Sequence, residues 1–144
     1  MAPELRNRAS ERVSYLMESL NDGSSWRRRD WYAEGFIRED RRSLIGLPTV
    51  GIDGFIEQLR AWFEIGATAP HFSMARVVAT SGESLAIVVL RFDFGSSAVE
   101  MLAVYRFDPA VQLLERLVSF DLDDVAAAHA ELHQLEVEEG ANDT

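Results

Sequence analysis

Three apolar runs joined by two short turns dominate the hydrophobic pattern of the chain between residues 84 and 122. The runs read SLAIVVLRFDF, VEMLAVYRFD and QLLERLVSFDL and are rich in Val, Ile, Leu and Phe. The breaks between them, Gly95-Ser96-Ser97 and Asp108-Pro109-Ala110, are too short for any connection other than a hairpin. The pattern therefore predicts a three-strand antiparallel meander, around which the rest of the chain is organised.

Helical spacing of apolar residues appears on both sides of this meander. Residues 4–21 predict an amphipathic helix with one buried stripe. Residues 26–34 predict a short second helix that ends at Gly35 in a left-handed cap. A third helix is predicted between Asp53, as its cap, and Gly66. A last helix runs from an Asp123 cap to about Glu136.

Two further stretches complete the predicted sheet. FIREDRR at 36–42 alternates apolar and charged residues and predicts a short first strand, and 71–80 predicts another strand. Helices covering one face of a run of antiparallel strands are typical of an α+β layer arrangement. The chain shows neither a linker nor a repeat, so we expect one domain over 1–144, frayed at 1–3 and 137–144.

The meander presents two faces, because successive side chains of a strand alternate. Pairing across the turns places Arg91 opposite Glu100 and Val104 opposite Glu115. The inner face, which the helices cover, then holds a mostly apolar set with one charge: Ala86, Val88, Leu90, Phe92, Met101, Ala103, Tyr105, Phe107, Leu114, Val118, Phe120 and Arg116. The outer face is also largely apolar: Leu85, Ile87, Val89, Arg91, Leu102, Val104, Leu113, Glu115 and Leu117. A sheet face that meets water does not need so many apolar side chains, so we expect a two-fold homodimer through the outer face.

Composition narrows the classes of function. The formal charge is −10, from 14 basic and 24 acidic residues, which argues against nucleic-acid binding because phosphate contacts need a basic face. The sequence contains no cysteine, which excludes disulfides and thiolate chemistry. The apolar runs are strand length and the N-terminal residues are charged, so we expect no membrane association and a cytoplasmic location.

The order of these elements resembles that of the nuclear transport factor 2-like superfamily, which includes SnoaL-like polyketide cyclases, ketosteroid isomerases and limonene epoxide hydrolases. The resemblance rests on SYLMESLNDG, WYAEGFIREDRR, GIDGFIEQLRAWFEIG and the strands that end in VYRFD and LVSFDL. It implies a cone in which about three N-terminal helices line a curved antiparallel or mixed sheet, followed by a C-terminal helix. It also implies a pocket at the open end and dimerisation through the sheet. We expect the pocket to be lined by Tyr32, Trp62, Phe92, Met101, Tyr105 and Arg116.

The resemblance to the steroid isomerases places Asp40 at the position of their general base. Desolvation at the mouth of an apolar pocket would raise the pKa of this carboxyl, as proton abstraction near neutral pH requires. The simpler alternative is that Asp40 pairs with Arg41, Arg42 or Arg116.

The remaining catalytic groups of these relatives are missing. Leu16 and Ala103 occupy the positions of the tyrosine and the protonated aspartate that stabilise the oxyanion in the isomerases. Arg91-Phe92-Asp93 is similar to the Arg-x-Asp element of the epoxide hydrolases, but Val118 stands where their second aspartate should be.

Three histidines are further candidates for chemistry. His71 opens a predicted strand and could enter the pocket mouth as an acid or base, although a histidine that satisfies loop backbone is the simpler interpretation. His129 and His133 are four residues apart on the last helix, a spacing that can hold a metal, but no third ligand is evident. The sequence therefore predicts neither a metal site nor a cofactor.

Two functions follow from these observations. The first is a dimeric domain that binds a small hydrophobic ligand, or stabilises a larger assembly, without a catalytic set. The second is an enzyme of the cyclase, isomerase or hydrolase type that acts on a hydrophobic carbonyl compound or epoxide. In that enzyme Asp40 would be the base, and His71, Tyr32 or Arg116 would orient the substrate.

Overall fold

The computed structural model describes residues 5–64 and 70–142. Within these ranges the chain forms three α-helices, one 3-10 turn and five β-strands. In chain order they are α1 (Arg8–Leu20), the 3-10 turn (Ser25–Arg27), β1 (Tyr32–Asp40), α2 (Ile52–Glu64), β2 (His71–Ser81), β3 (Leu85–Asp93), β4 (Ala98–Phe107), β5 (Leu114–Phe120) and α3 (Val125–Asn142). The predicted α+β class is confirmed. None of the helices in these ranges is long and apolar enough to cross a membrane.

The strands form one mixed sheet in the order β1-β5-β4-β3-β2, which is open rather than closed. The predicted meander is confirmed, since β3 pairs antiparallel with β4 and β4 with β5. Arg91 lies opposite Glu100 as expected. β1 adds to the outside of β5 in the parallel direction, and this pairing makes the sheet mixed.

A β-bulge in β5 changes which side chains share a face. Phe107 pairs with Leu114, but the preceding residue Arg106 pairs with Arg116, so Glu115 is the extra residue in β5. From this point the alternation is shifted by one residue. The predicted pairing of Val104 with Glu115 is therefore wrong, because Val104 lies opposite Val118.

The predicted second helix is also wrong, because only a 3-10 turn forms there. The Asp22 carboxylate accepts hydrogen bonds from the backbone N–H groups of Ser24 and Ser25 and from both hydroxyls. Such local side-chain bonds favour turns over helices. Arg28 is already extended, at φ −73° and ψ 123°. Gly35 lies inside β1, not at a left-handed helix end.

The two ends of the helical layer are fixed to the sheet. The Asn7 side chain caps α1 by accepting from the Ser10 N–H, and its amide nitrogen donates to the carbonyl of Leu85 at 2.8 Å. α3 continues past its predicted end near Glu136. Glu138 pairs with Arg106 at 3.1 Å and Glu139 accepts from the Ser84 hydroxyl, so these positions are attached to the sheet and not frayed. The predicted third helix end at Gly66 and the frayed 1–3 segment lie outside the described residues.

The outer face of the sheet is covered by α3. Ala128, Leu132 and Leu135 pack against a buried aliphatic and aromatic set, which is Leu85, Ile87, Val89, Leu102, Val104, Val118 and Phe120. The predicted homodimer rested on this face being uncovered, and that premise is wrong over β3 and β4. The inner face packs against α1 and α2 in a separate apolar cluster.

Candidate ligand-binding cavity

A cavity of about 50 Å³ lies between the inner face of the sheet and the two N-terminal α-helices. α1 contributes Leu16, Met17 and Leu20 to its wall, because these residues fall on one face of that helix. The opposite wall comes from inward-facing residues of β3, β4 and β5, among them Leu90 and Leu117. The walls are mostly apolar, so the cavity suits the hydrophobic part of a small molecule.

Five of the six residues expected in the pocket lie in this lining: Tyr32, Trp62, Phe92, Met101 and Tyr105. Arg116 does not, because the β5 bulge turns it to the outer face. There its guanidinium lies 3.3 Å from the Glu39 carboxylate.

α2 forms another wall of the cavity, and most of its apolar side chains are incompletely buried. Leu59 is the buried residue of this helix, whereas Phe55, Trp62 and Phe63 are only partly covered. Trp62 makes an edge contact with Phe92, with ring centroids 5.2 Å apart, and stacks on Phe94 at 5.7 Å. α2 is thus held largely by aromatic contacts, and an outward shift of this helix would enlarge the cavity.

A buried arginine forms the polar end of the cavity. Arg38 lines the cavity and only 5% of its surface is exposed. Its guanidinium donates to Gln58 Oε1 at 2.8 Å and to Ser119 Oγ at 3.0 Å. Both partners are neutral. Burial lowers the pKa of Arg38, although the nearby Asp40 carboxylate opposes that shift.

Two tyrosines, Tyr32 and Tyr105, also line the cavity. Burial raises the pKa of both Tyr32 and Tyr105, so both phenols are neutral at physiological pH. The charge of Arg38 acts on the pKa of Tyr105 in the opposite sense. Arg38 and the two tyrosines thus add hydrogen-bond donors to a mostly apolar lining.

Asp40 lies behind this polar end and does not line the cavity. Its side chain is fully buried and accepts two hydrogen bonds from the Arg42 guanidinium, both at 2.8 Å. The backbone N–H groups of Arg42 and Leu47 also donate to it, at 3.1 and 3.0 Å. Burial on its own would raise the pKa of Asp40, but these donors outweigh it and hold the pKa at about 2. The expected rise in pKa is therefore wrong, and the simpler alternative, a pair with Arg42, describes the carboxylate.

The histidines lie away from the cavity. Phe72 points into the core, so the preceding residue, His71, points outward and is exposed at the start of β2 opposite Asp93. It does not enter the pocket mouth. His129 and His133 are exposed on α3, and the described part of the chain contains no cluster of three potential metal ligands.

Sequence reasoning missed Arg38, Gln58 and Ser119 as cavity residues. The alternation of β1 could have located Arg38, since Phe36 is a core residue and a residue two positions further along a strand faces the same side. Ser119 could not be placed, because its face depends on the β5 bulge.

Solved structures show the same fold at low sequence identity. PrhC from Penicillium brasilianum NBRC 6234 gives a TM-score of 0.63 at 12% identity, over 93% of this chain and 91% of that one. A protein assigned as a SnoaL-like polyketide cyclase, from Shewanella denitrificans OS-217, gives 0.55 at 15% identity, over 90% and 98%. An NTF2-like protein of unknown function from Pseudomonas putida KT2440 gives 0.58 at 15% identity, over 77% and 82%. No family model and no curated protein sequence matches the chain.

The chain therefore has the fold of the nuclear transport factor 2-like superfamily, as the sequence resemblance predicted. About three N-terminal helices were expected in front of the sheet; within residues 5–64 the structure has α1, α2 and a 3-10 turn in place of the middle helix. The likeness extends to the fold and not to the chemistry, since one superfold supports many unrelated functions.

Proposed function

We propose that the protein is a binding domain for a small hydrophobic molecule, which it holds in the cavity without transforming it. The observation that carries this proposal is the mostly apolar lining of the cavity, which contains one hydrogen-bonded polar group made of Arg38, Gln58 and Ser119. Apolar walls with a few convergent polar groups are typical of ligand sites. Among the lining residues that the structure describes there is no carboxylate and no imidazole, so proton abstraction has no ready base.

The size of the cavity implies that α2 moves when the ligand enters. A volume of about 50 Å³ has room for roughly four water molecules, at 10–15 Å³ for each. A ligand of eight or more heavy atoms therefore needs an outward shift of α2. The half-buried aromatic residues of that helix are consistent with a modest free-energy cost for the shift.

Titration with 1-octanol, followed by tryptophan fluorescence, tests the proposal. Trp31 and Trp62 line the cavity, so a bound neutral ligand changes their emission. We expect a saturable change that Leu90→Phe, which fills the cavity, reduces at least severalfold. The matched control is Val89→Ile, since the neighbouring side chain faces α3. A change that does not saturate, or one that both variants leave unaltered, would contradict the proposal.

An enzyme of the cyclase, isomerase or hydrolase type is the second candidate. The donors of Arg38, Tyr32 and Tyr105 favour it, because hydrogen-bond donors in an apolar cavity can stabilise an oxyanion. Asp40 as its base is disfavoured by burial and by a pKa of about 2. The test is turnover of a hydrophobic carbonyl compound or epoxide. If Asp40→Asn abolishes that turnover in a protein that still folds, the result would support Asp40 as the base.

A homodimer remains part of the proposal, on a smaller surface than the sequence predicted. α3 leaves the outer face of β1 uncovered, where Ile37 is 40% exposed beside Arg116. The charged pairs of this face close within one chain, as Arg106 with Glu115 at 3.2 Å shows. An association would therefore rest on the apolar residues near Ile37.

A further inference from the structure

We infer that the ligand of the cavity is a hydrophobic monoanion whose carboxylate pairs with Arg38. This inference rests on the proposed binding function and names the chemical class of the ligand.

The buried charges behind the cavity do not balance. Arg38, Arg42 and Asp40 form one buried cluster, with side-chain exposures of 6%, 3% and 0%. Asp40 bonds Arg42 with both oxygens, whereas Arg38 lies 3.9 Å from it. Two cations and one anion leave a net charge of +1. A buried charge without a counter-charge is costly, so the cluster is incomplete as it stands.

The surplus positive charge belongs to Arg38, which lines the cavity. Its other bonded side chains, Gln58 and Ser119, are neutral. The two phenols nearby, Tyr32 and Tyr105, are neutral as well. No carboxylate among the described cavity residues neutralises the guanidinium from the side of the cavity.

Hydrogen-bond donors for a carboxylate are present in the cavity lining. The Nε of Arg38 is buried and has no hydrogen-bond partner in the described structure. The hydroxyls of Tyr32 and Tyr105, for which the structure over residues 5–64 and 70–142 shows no hydrogen bond, belong to residues that line the same cavity. The unpartnered N–H of the guanidinium can donate to a carboxylate oxygen, and phenol hydroxyls in the same lining can donate to the same group.

The size of the surplus charge favours a monoanion over a phosphate. A carboxylate brings one negative charge and makes the buried cluster neutral. A phosphate monoester carries a charge of about −1.5 to −2 at neutral pH. It would replace the net positive charge of the buried cluster by a net negative charge. The apolar walls then require the rest of the ligand to be aliphatic or aromatic.

Three ligands with the same chain test the inference: octanoate, 1-octanol and octyl phosphate, titrated by calorimetry at neutral pH. We expect octanoate to bind about tenfold to a hundredfold more tightly than 1-octanol, as a charged hydrogen-bonded contact provides. Arg38→Gln should bring the affinity for octanoate down to that for 1-octanol. The variant should fold, because it leaves Asp40 and Arg42 as a balanced pair. Arg116→Gln is the matched control, since this arginine lies on the outer face, and it should change neither affinity.

The outcomes separate the inference from the function it rests on. Equal affinities for octanoate and 1-octanol, with both reduced by Leu90→Phe, would overturn the carboxylate and leave the binding function standing. Tighter binding of octyl phosphate would overturn the choice of a monoanion. Failure of all three ligands to bind saturably would overturn the binding function and the inference together.

Discussion

The two faces of the sheet are built from alternate residues of the same strands, and they are packed in different ways. On the outer face, aliphatic residues of β3 and β4 meet Ala128, Leu132 and Leu135 of α3 in a fully buried layer. On the inner face, larger aromatic residues from β1, α2 and β3 meet at oblique angles, as Tyr32 and Phe36 do at 48°. The aliphatic layer of the outer face is fully buried, whereas the inner face borders the cavity.

The faces also differ in their buried charges. Arg38, Asp40 and Arg42 are buried together at the inner side, whereas on the outer side the buried Glu131 of α3 pairs with the more exposed Arg41. A well-packed apolar layer contributes stability, and a buried polar cluster contributes a specific site at a cost in stability. The outer face therefore supports the fold and the inner face carries the function that we propose.

Asp40→Asn should have the largest effect on stability. The change leaves two buried arginines without their shared carboxylate, and loss of one partner of a buried ion pair costs about 3–5 kcal/mol. Urea unfolding at neutral pH measures the loss. Asp30→Asn is the control, because Asp30 forms an exposed pair with Arg28 at 2.8 Å, and loss of such a surface pair should leave the unfolding free energy nearly unchanged. A similar loss in both variants would show that the inner cluster is not a buried pair.

Leu135→Ala should come next and should affect stability alone. Leu135 is fully buried between α3 and the sheet, and removal of such a side chain costs about 2–5 kcal/mol. The affinity for 1-octanol at the inner face should stay unchanged. Val137→Ala on the same helix, at a side chain 53% exposed, should cost less than about 0.5 kcal/mol. Weakened ligand binding in Leu135→Ala would contradict the division between the faces.

Acid should destabilise the protein partly through Asp40. Its pKa is about 2 in the folded chain and near 3.8 without the fold, so the unfolded chain binds more protons between these values. The contribution is complete above about pH 4 and is lost as the pH falls towards 2, and it amounts to about 2 kcal/mol. Unfolding free energies of the wild type and Asp40→Asn, measured across this range, should converge as the pH falls. A constant difference would assign the acid sensitivity to other groups.

The strands and the outer faces of β3 and β4 could be predicted from the sequence because they depend on local alternation and short turns. The predictions that proved wrong depended on interactions that the alternation pattern does not contain. The β5 bulge adds one residue without a glycine or proline to mark it, and it moves Arg116 out of the cavity. The Asp22 carboxylate replaces a helix by a turn through bonds that hydrophobic spacing does not register. The cover of the outer face was missed because α3 was assigned to the inner side.

Asp40 and Arg38 show the same limit at the candidate site. Strand alternation places both on the inner side of β1, and this much could be read from the position of Phe36. Whether a carboxylate there titrates high or low depends on its partners, and the Leu47 N–H and the Arg42 side chain come from the loop that follows. A general base and a structural counter-ion therefore have the same sequence signature.

Ile37→Asp should have the smallest effect, on association and not on folding. The homodimer predicted from the sequence now has only the uncovered strip near Ile37 available on the outer face, so a charge there should weaken self-association about tenfold, or about 1.4 kcal/mol. Sedimentation equilibrium at micromolar concentrations measures it. Tyr15→Asp is the control, since Tyr15 is 48% exposed on α1, on the opposite side of the sheet. A monomeric wild type would overturn the dimer, whereas equal weakening by both variants would place the interface elsewhere.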